Sequence, residues 1–196
     1  MKKFFFIVVI FGGALLFFHF KDKNKAEIIE EVRSWMSAKK RYPPGILVED
    51  LPQIGRIRSQ KTWTKGNYTV TPVAQFHAQC RVLQKWVDLK STEFQRQLLE
   101  LGRVEAALGW GPASDQDVVD HIVFYWQQGW YSWKLTNGFN DKYPWPKIHA
   151  NMCYARLVGE PEIEQRLVQS LGVGDLIEID GTLINAVHSN GQWGFT

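Results

Sequence analysis

Hydrophobic and polar positions fall into three successive textures along this chain. The first is an uninterrupted apolar run, FFFIVVIFGGALLFFHF from Phe4 to Phe20, with no charge in seventeen residues and thirteen of them Phe, Ile, Val or Leu. As a helix it would reach about 26 Å, against a bilayer core of about 30 Å. Side chains of this kind each favour insertion by roughly 0.3–0.6 kcal/mol. The run ends in Phe17-Phe18-His19-Phe20-Lys21 without the small-x-small site that a cleaved signal peptide requires. Residues 1–20 are therefore expected to be an uncleaved membrane anchor, with residues 4–20 contacting membrane lipid.

The second texture has a helical period. In NKAEIIEEVRSWMSAK, from Asn24 to Lys39, Asn24 can cap a helix and Ile28, Val32, Trp35 and Met36 share one face. Early Glu and late Lys residues suit the helix dipole, so residues 21–40 are predicted to form a stalk helix. RYPPGILVEDLPQ then breaks it, because Pro43, Pro44, Gly45 and Pro52 disfavour helix. The basic stretch to residue 66 has no clear period and reads as a linker wrapping over the domain surface.

The third texture, from Tyr68 onward, is strand-like. Phe76, Ala78, Cys80 and Val82 alternate with polar positions, and Pro72 marks an edge or a strand start. STEFQRQLLELGRVEAALGWG is ambiguous: Phe94, Leu98 and Leu101 suggest a helical turn or two, and no clear strand is visible before LGWG. HIVFYWQQGWYSWKL predicts a hairpin turning at Gln127-Gln128-Gly129. A long loop, TNGFNDKYPWPKI, precedes a further strand in HANMCYARL. Glu160 to Ser170 reads as a short helix with Pro161 at its first position and Ile163, Leu167 and Leu171 on one face. In VGDLIEIDGTLINAV a Gly174-Asp175 turn leads into a strand that Gly181 interrupts with a bulge or bend.

These elements predict an α+β, mostly β domain over 67–196, a small curved antiparallel sheet or OB-like barrel with a few short helices, preceded by an N-terminal transmembrane helix. An SH3-like barrel would read much the same.

Charge narrows the choice of partner. The chain has 23 Lys and Arg against 20 Asp and Glu, and setting aside Lys2 and Lys3 leaves 21 against 20. A body so near neutrality carries no polyanion footprint, and nucleic acid is not expected as its partner. Lys2, Lys3 and the amino terminus favour a cytoplasmic start, while Lys21, Lys23 and Lys25 oppose it. The brevity of the basic segment before the apolar run puts the body in the periplasm, on a single-pass anchor in the cytoplasmic membrane. Cys80 and Cys153 would then meet an oxidising compartment, yet both lie in apolar strands where buried, unreactive thiols are usual. Whether they pair cannot be read from spacing.

LGWGPASD, residues 108–115, raises three chemical possibilities. A phosphate loop would need a further glycine or a Gly-Lys-Ser/Thr end, and a nucleophile elbow would need Gly-x-Ser-x-Gly; neither is present. The bland reading fits better, with Ser114 capping a helix and Asp117 completing a capping box. His77, His121, His149 and His188 are scattered without metal-ligand spacing, so neither metal nor cofactor is expected. A hydrolase would require His121, His149 and Ser114 or Asp120 to converge in space.

The aromatic residues are the most distinctive chemistry. Trp126, Trp130, Tyr131 and Trp133 cluster in the hairpin, and Tyr143 and Trp145 lie in the loop beyond. Rings in strands are usually core, but alternation leaves one face of such a hairpin for a ligand or partner. These six residues are the candidate binding set.

Together PVAQFHAQCRVLQ, ALGWGPASD, IHANM and VGDLIEIDGTLI resemble a family of uncharacterised bacterial single-pass membrane-anchored proteins, over roughly 42–195. The resemblance implies a one-pass anchor and a small β-rich body, and brings no activity. This chain departs from the pattern at Gly102-Arg103, where Ser-Pro is expected. Relatives also continue past the equivalent of GQWGFT into a further strand, which leaves closure of the barrel open. The expected function is a non-enzymatic, membrane-tethered envelope domain that binds a protein partner in the same membrane. An OB-like module for an oligosaccharide or nucleic acid is the alternative.

Overall fold

The computed structural model describes the backbone of residues 2–10 and residues 41–57, 61–88, 93–127, 130–139 and 142–191. The expected stalk helix lies outside these residues, as does 11–20 of the expected anchor. Among the described residues no helix is long and apolar enough to cross a membrane. The chain is α+β and mostly β, an antiparallel sheet with a few short helices.

One strand organises it. β4 runs over twenty residues, Tyr68–Val87, and follows β1 (Lys2–Ile10), β2 (Gln53–Gly55) and β3 (Trp63–Lys65). The 41–66 stretch expected to lack regular structure thus contributes two short strands, each antiparallel to β4. Three residues give too little sequence for a period to show. After β4 come α1 (Glu93–Leu98), β5 (Val104–Gly109), a 3-10 turn over Gly111–Ser114 and α2 (Gln116–His121). The hairpin β6 (Ile122–Gln127) and β7 (Trp130–Leu135) then forms a two-stranded sheet of its own, as expected. α3 (Trp145–His149), β8 (Met152–Val158), α4 (Pro161–Ser170) and β9 (Leu176–His188) complete the chain.

β4 pairs along most of its length with β9, from Tyr68 opposite His188 to Arg81 opposite Leu176. Its later part pairs with β5, β5 pairs with β8, and β1 joins β8 to β9. The pairings therefore return on themselves, antiparallel except where β1 meets β9. β4 bends to permit this at two bulges. Val73 is extra opposite Ile184 and Leu183, and Leu83 is extra opposite Leu108 and Ala107. The expected irregularity at Gly181 is absent, since β9 runs straight through that position opposite Phe76. Pro72 instead flanks the Val73 bulge, one of the few places a strand interior tolerates proline.

The alternation read at Phe76, Ala78, Cys80 and Val82 marks the inner face of β4. These side chains are buried with Leu108, Leu157, Ile177 and Ile179, together with Leu167 of α4 and Leu171 just past its end. A second core forms on the other side, where Leu83 and Ala107 meet Val118, Val119, Ile122, Phe124, Trp133 and Ile148. β5 lies between the two and is buried at all six positions. It therefore shows no alternation, which is why no strand is visible ahead of LGWG in the sequence.

Two arginines are buried in the fold. Arg156, 1 % exposed, pairs with Glu105 and donates to the carbonyls of Leu98 and Gly102, tying the end of α1 to the sheet. Burial pulls its guanidinium down to about 10, still charged at neutral pH. Arg81, fully buried, donates to the Ser114 carbonyl and to Gln116 Oε1.

Candidate functional site

The hairpin and α3 bring part of the expected aromatic set together. Phe124 stands opposite Trp133 in the β6–β7 register, and both are buried against the second core. Tyr131 stacks on Trp86 of β4, with ring centroids 3.9 Å apart and planes 26° apart, and on Tyr154 of β8 at 5.7 Å. These rings fix the hairpin to the main sheet. Burial raises the hydroxyl pKa of both Tyr131 and Tyr154, so neither ionises near neutral pH. The side chains of Trp126 and Trp130 lie outside the described residues; in the register they stand opposite Tyr131 and Gln127. On the hairpin's other face Tyr125 is 39 % exposed.

Trp145 is different. It is 53 % exposed, at the start of α3, yet is not loose. Its ring stacks on the buried Trp133 at 5.3 Å and 14°, and on exposed His149, one helical turn later, at 4.9 Å and 18°. Ile148, on the same short helix, is fully buried in the second core. The segment was expected to be loop through Ile148, with a strand starting at His149. Pro144 and Pro146 produced that expectation, but proline is well tolerated in a helix's first turn, where N–H groups have no partner within the helix.

The LGWGPASD corner anchors this region. Gly111 has φ +47°, and a Cβ there would lie 2.7 Å from Asn151 Oδ1; a Cβ on Gly109 would lie 2.9 Å from Leu83. The glycines thus serve a tight turn and close packing. Two expectations change. A strand, β5, does precede the motif, and the helix cap is Asp115 rather than Ser114: its carboxylate accepts the Asp117 N–H at 3.0 Å. Ser114 is buried and instead accepts the N–H groups of Leu47 and Val48 at 3.1 and 3.0 Å, donating its own proton to the Gly111 carbonyl.

Four of the corner's backbone donors are already engaged. The N–H groups of Trp110, Gly111, Ala113 and Asp115 already bond to carbonyls of Asn151, Val48, Trp110 and Pro112. The carboxylate of Asp115 would also repel an anion. Burial pushes that carboxyl up. Hydrogen bonds from Lys142, the Asp117 N–H, Tyr143 and the Gly45 N–H outweigh burial and hold it at about 2. Tyr143, from the candidate set, is thus a half-buried strut whose hydroxyl donates to Asp115 at 2.8 Å.

The remaining candidates each have other partners. His121 bonds to the Asp117 carbonyl at 2.7 Å, His149 stacks on Trp145, and the Ser114 hydroxyl has backbone partners. Cys80 and Cys153 are free thiols; burial pushes Cys80 well up and Cys153 to about 12, so neither is a ready thiolate. Among the described residues no His, Cys, Asp and Glu cluster could hold a metal ion. A groove of about 550 Å³ lies away from the aromatic set, lined by Trp63, Lys65, Gly159, Pro161, Asp180 and Thr182. Lys65 is occupied there by Glu164 and the Gly159 carbonyl.

Comparison of the chain with known protein families, with curated proteins and with solved structures finds no match.

Proposed function

We propose that this is a membrane-tethered, non-enzymatic binding domain of OB-like architecture, with its partner-facing surface centred on Trp145. One observation carries the reading: a half-exposed indole is held flat by Trp133 beneath it and His149 beside it. A rigid aromatic anchor loses little conformational entropy on binding, which is why Trp dominates the energetic centres of protein interfaces. The long β4 with its two bulges and a helix between β8 and β9 support the OB-like reading.

Residues 4–20 supply the tether, in the cytoplasmic membrane with the body in the periplasm, and the partner is a protein of the same membrane. The tether and β1 draw on the same residues, 4–10, so insertion leaves β8 and β9 without the strand between them.

A photo-crosslinking amino acid at Lys147, beside the platform, tests the reading in cells. The expected result is a discrete crosslinked protein that disappears in Trp145→Ala while the chain's abundance is unchanged. Persistence of the same crosslink in Trp145→Ala would overturn it. A flat indole also suits the apolar face of a sugar ring, and Trp145-dependent retention on an oligosaccharide, with no crosslinked protein, would favour that ligand.

A further inference from the structure

Asp115 is where two separate stretches of chain meet. On one side is the linker emerging from the proposed tether. The Gly45 N–H donates to Asp115 Oδ1 at 3.1 Å, the Leu47 and Val48 N–H groups to Ser114 Oγ, and the Tyr42 N–H to Gln116 Oε1 at 2.7 Å. The Tyr42 ring also lies 5.1 Å from the Arg81 guanidinium, which holds Ser114 and Gln116 from behind. The linker accepts in return, its Val48 carbonyl taking the Gly111 N–H. Val48 itself is 5 % exposed, so this stretch is part of the packed structure.

On the other side is the segment that carries Trp145. Lys142 Nζ and Tyr143 Oη donate to Asp115 Oδ2 at 2.7 and 2.8 Å. Trp145 follows two residues later, and Ile148 packs in the same core as Ala113 of the corner. The Asp115 side chain is completely buried. One ionised carboxylate, with about four acceptor positions, thus accepts from the linker, from α2 and twice from the Trp145 segment. No other charged side chain among the described contacts bridges these stretches.

We infer that Asp115 couples the membrane-proximal linker to the Trp145 platform, so that a partner seated on Trp145 tightens the linker and a displaced linker loosens the platform. The functional half of this inference rests on the binding reading above; the coupling does not. A carboxylate held by donors from both sides is fixed by each for the other. Withdrawing the Tyr143 hydroxyl leaves Oδ2 held by Lys142 alone, so the carboxylate can turn and its Oδ1 bond to Gly45 weakens, although Tyr143 is not bonded to the linker. Binding linkage then makes the effect equal in both directions. The tether's position would be reported at a surface built from residues about a hundred positions further along.

Amide hydrogen exchange of the full chain in detergent tests the coupling without any partner. Tyr143→Phe removes one hydroxyl and keeps the ring. Exchange over 42–48 is expected to rise about tenfold, along with that over 136–150, a factor typical of losing a hydrogen bond to a charged group. The reciprocal variant, Gly45→Pro, removes the linker's donor at a backbone position, φ +133°, that proline cannot adopt. It should speed exchange over 136–150. Effects confined in each variant to its own segment would overturn the coupling. Should either variant accelerate every amide alike, the stability of the double variant decides. A loss smaller than the sum of the single losses supports a shared carboxylate, and strict additivity overturns it. Neither result depends on Trp145, so this inference and the binding reading fail separately.

Discussion

At Gly111 and Ser114, single side chains decide the geometry of the corner. Gly111→Ala puts a Cβ against Asn151 at φ +47°, and should cost about 2 kcal/mol, read as a lowered urea midpoint at unchanged slope. Ser114→Ala leaves the Leu47 and Val48 N–H groups without their acceptor. The expected loss is about 2–4 kcal/mol. A nucleophilic role for Ser114 would instead leave stability intact. Asp115 gives a pH signature. Its carboxyl, near 2 in the fold, lies below its unfolded value, so its stabilisation is complete above about pH 4 and is lost as pH falls toward 2. That amounts to roughly 2 kcal/mol. The acid limb of stability should therefore flatten in Asp115→Asn, measured by urea melts from pH 5 to 2.5; an unchanged limb would refute the assignment. In the sequence the corner was recognisable as a turn and a cap. That Ser114 clasps was not, because both partners of the clasp lie more than sixty positions away, and with Ser114 so engaged the cap falls to Asp115, one residue on.

Between elements, the two stacked tryptophans separate packing from binding. Trp133, buried beneath Trp145, should cost about 3–5 kcal/mol as Trp133→Ala, lowering the melting temperature and removing the platform with it. Trp145→Ala should cost about 1 kcal/mol, because half of its surface is already in water. Only the second is a clean probe of binding; comparable losses in thermal melts would show Trp145 to be core. The hairpin and α4 were legible from periodicity, and each has one face in the core. β5 was not, because both of its faces are buried. α3 and the strands β2 and β3 are too short to show a period, and they exist through what they pack against.

At the scale of the molecule, closure depends on β1. It lies parallel to β9 from Lys2 opposite Ile177 to Val8 opposite Leu183, and antiparallel to β8 from Ile7 opposite Val158 to Ile10 opposite Ala155. A chain lacking residues 1–40 would present both edges, with unpaired N–H and C=O groups beside the apolar core. Its expected behaviour is concentration-dependent association in sedimentation, reversed by adding a peptide of residues 2–10 in trans. A monomeric truncated body with an unchanged melting temperature would show that β1 contributes nothing to closure.

By itself the sequence determined the class of the domain. Alternation along β4, the hairpin, the Pro-initiated helix and the two-sided glycine corner are local patterns, each recorded within a few residues. It also determined which aromatic residues to examine, since their density is plain in one dimension. Tertiary structure alone decided which of them is core and which is surface. Burial of Trp133 and exposure of Trp145 follow from stacking between a strand and a helix that are neighbours only in the fold. It likewise decided the role of the corner, because a carboxylate's partners are set by what packing brings within 3 Å, not by what stands beside it in the chain.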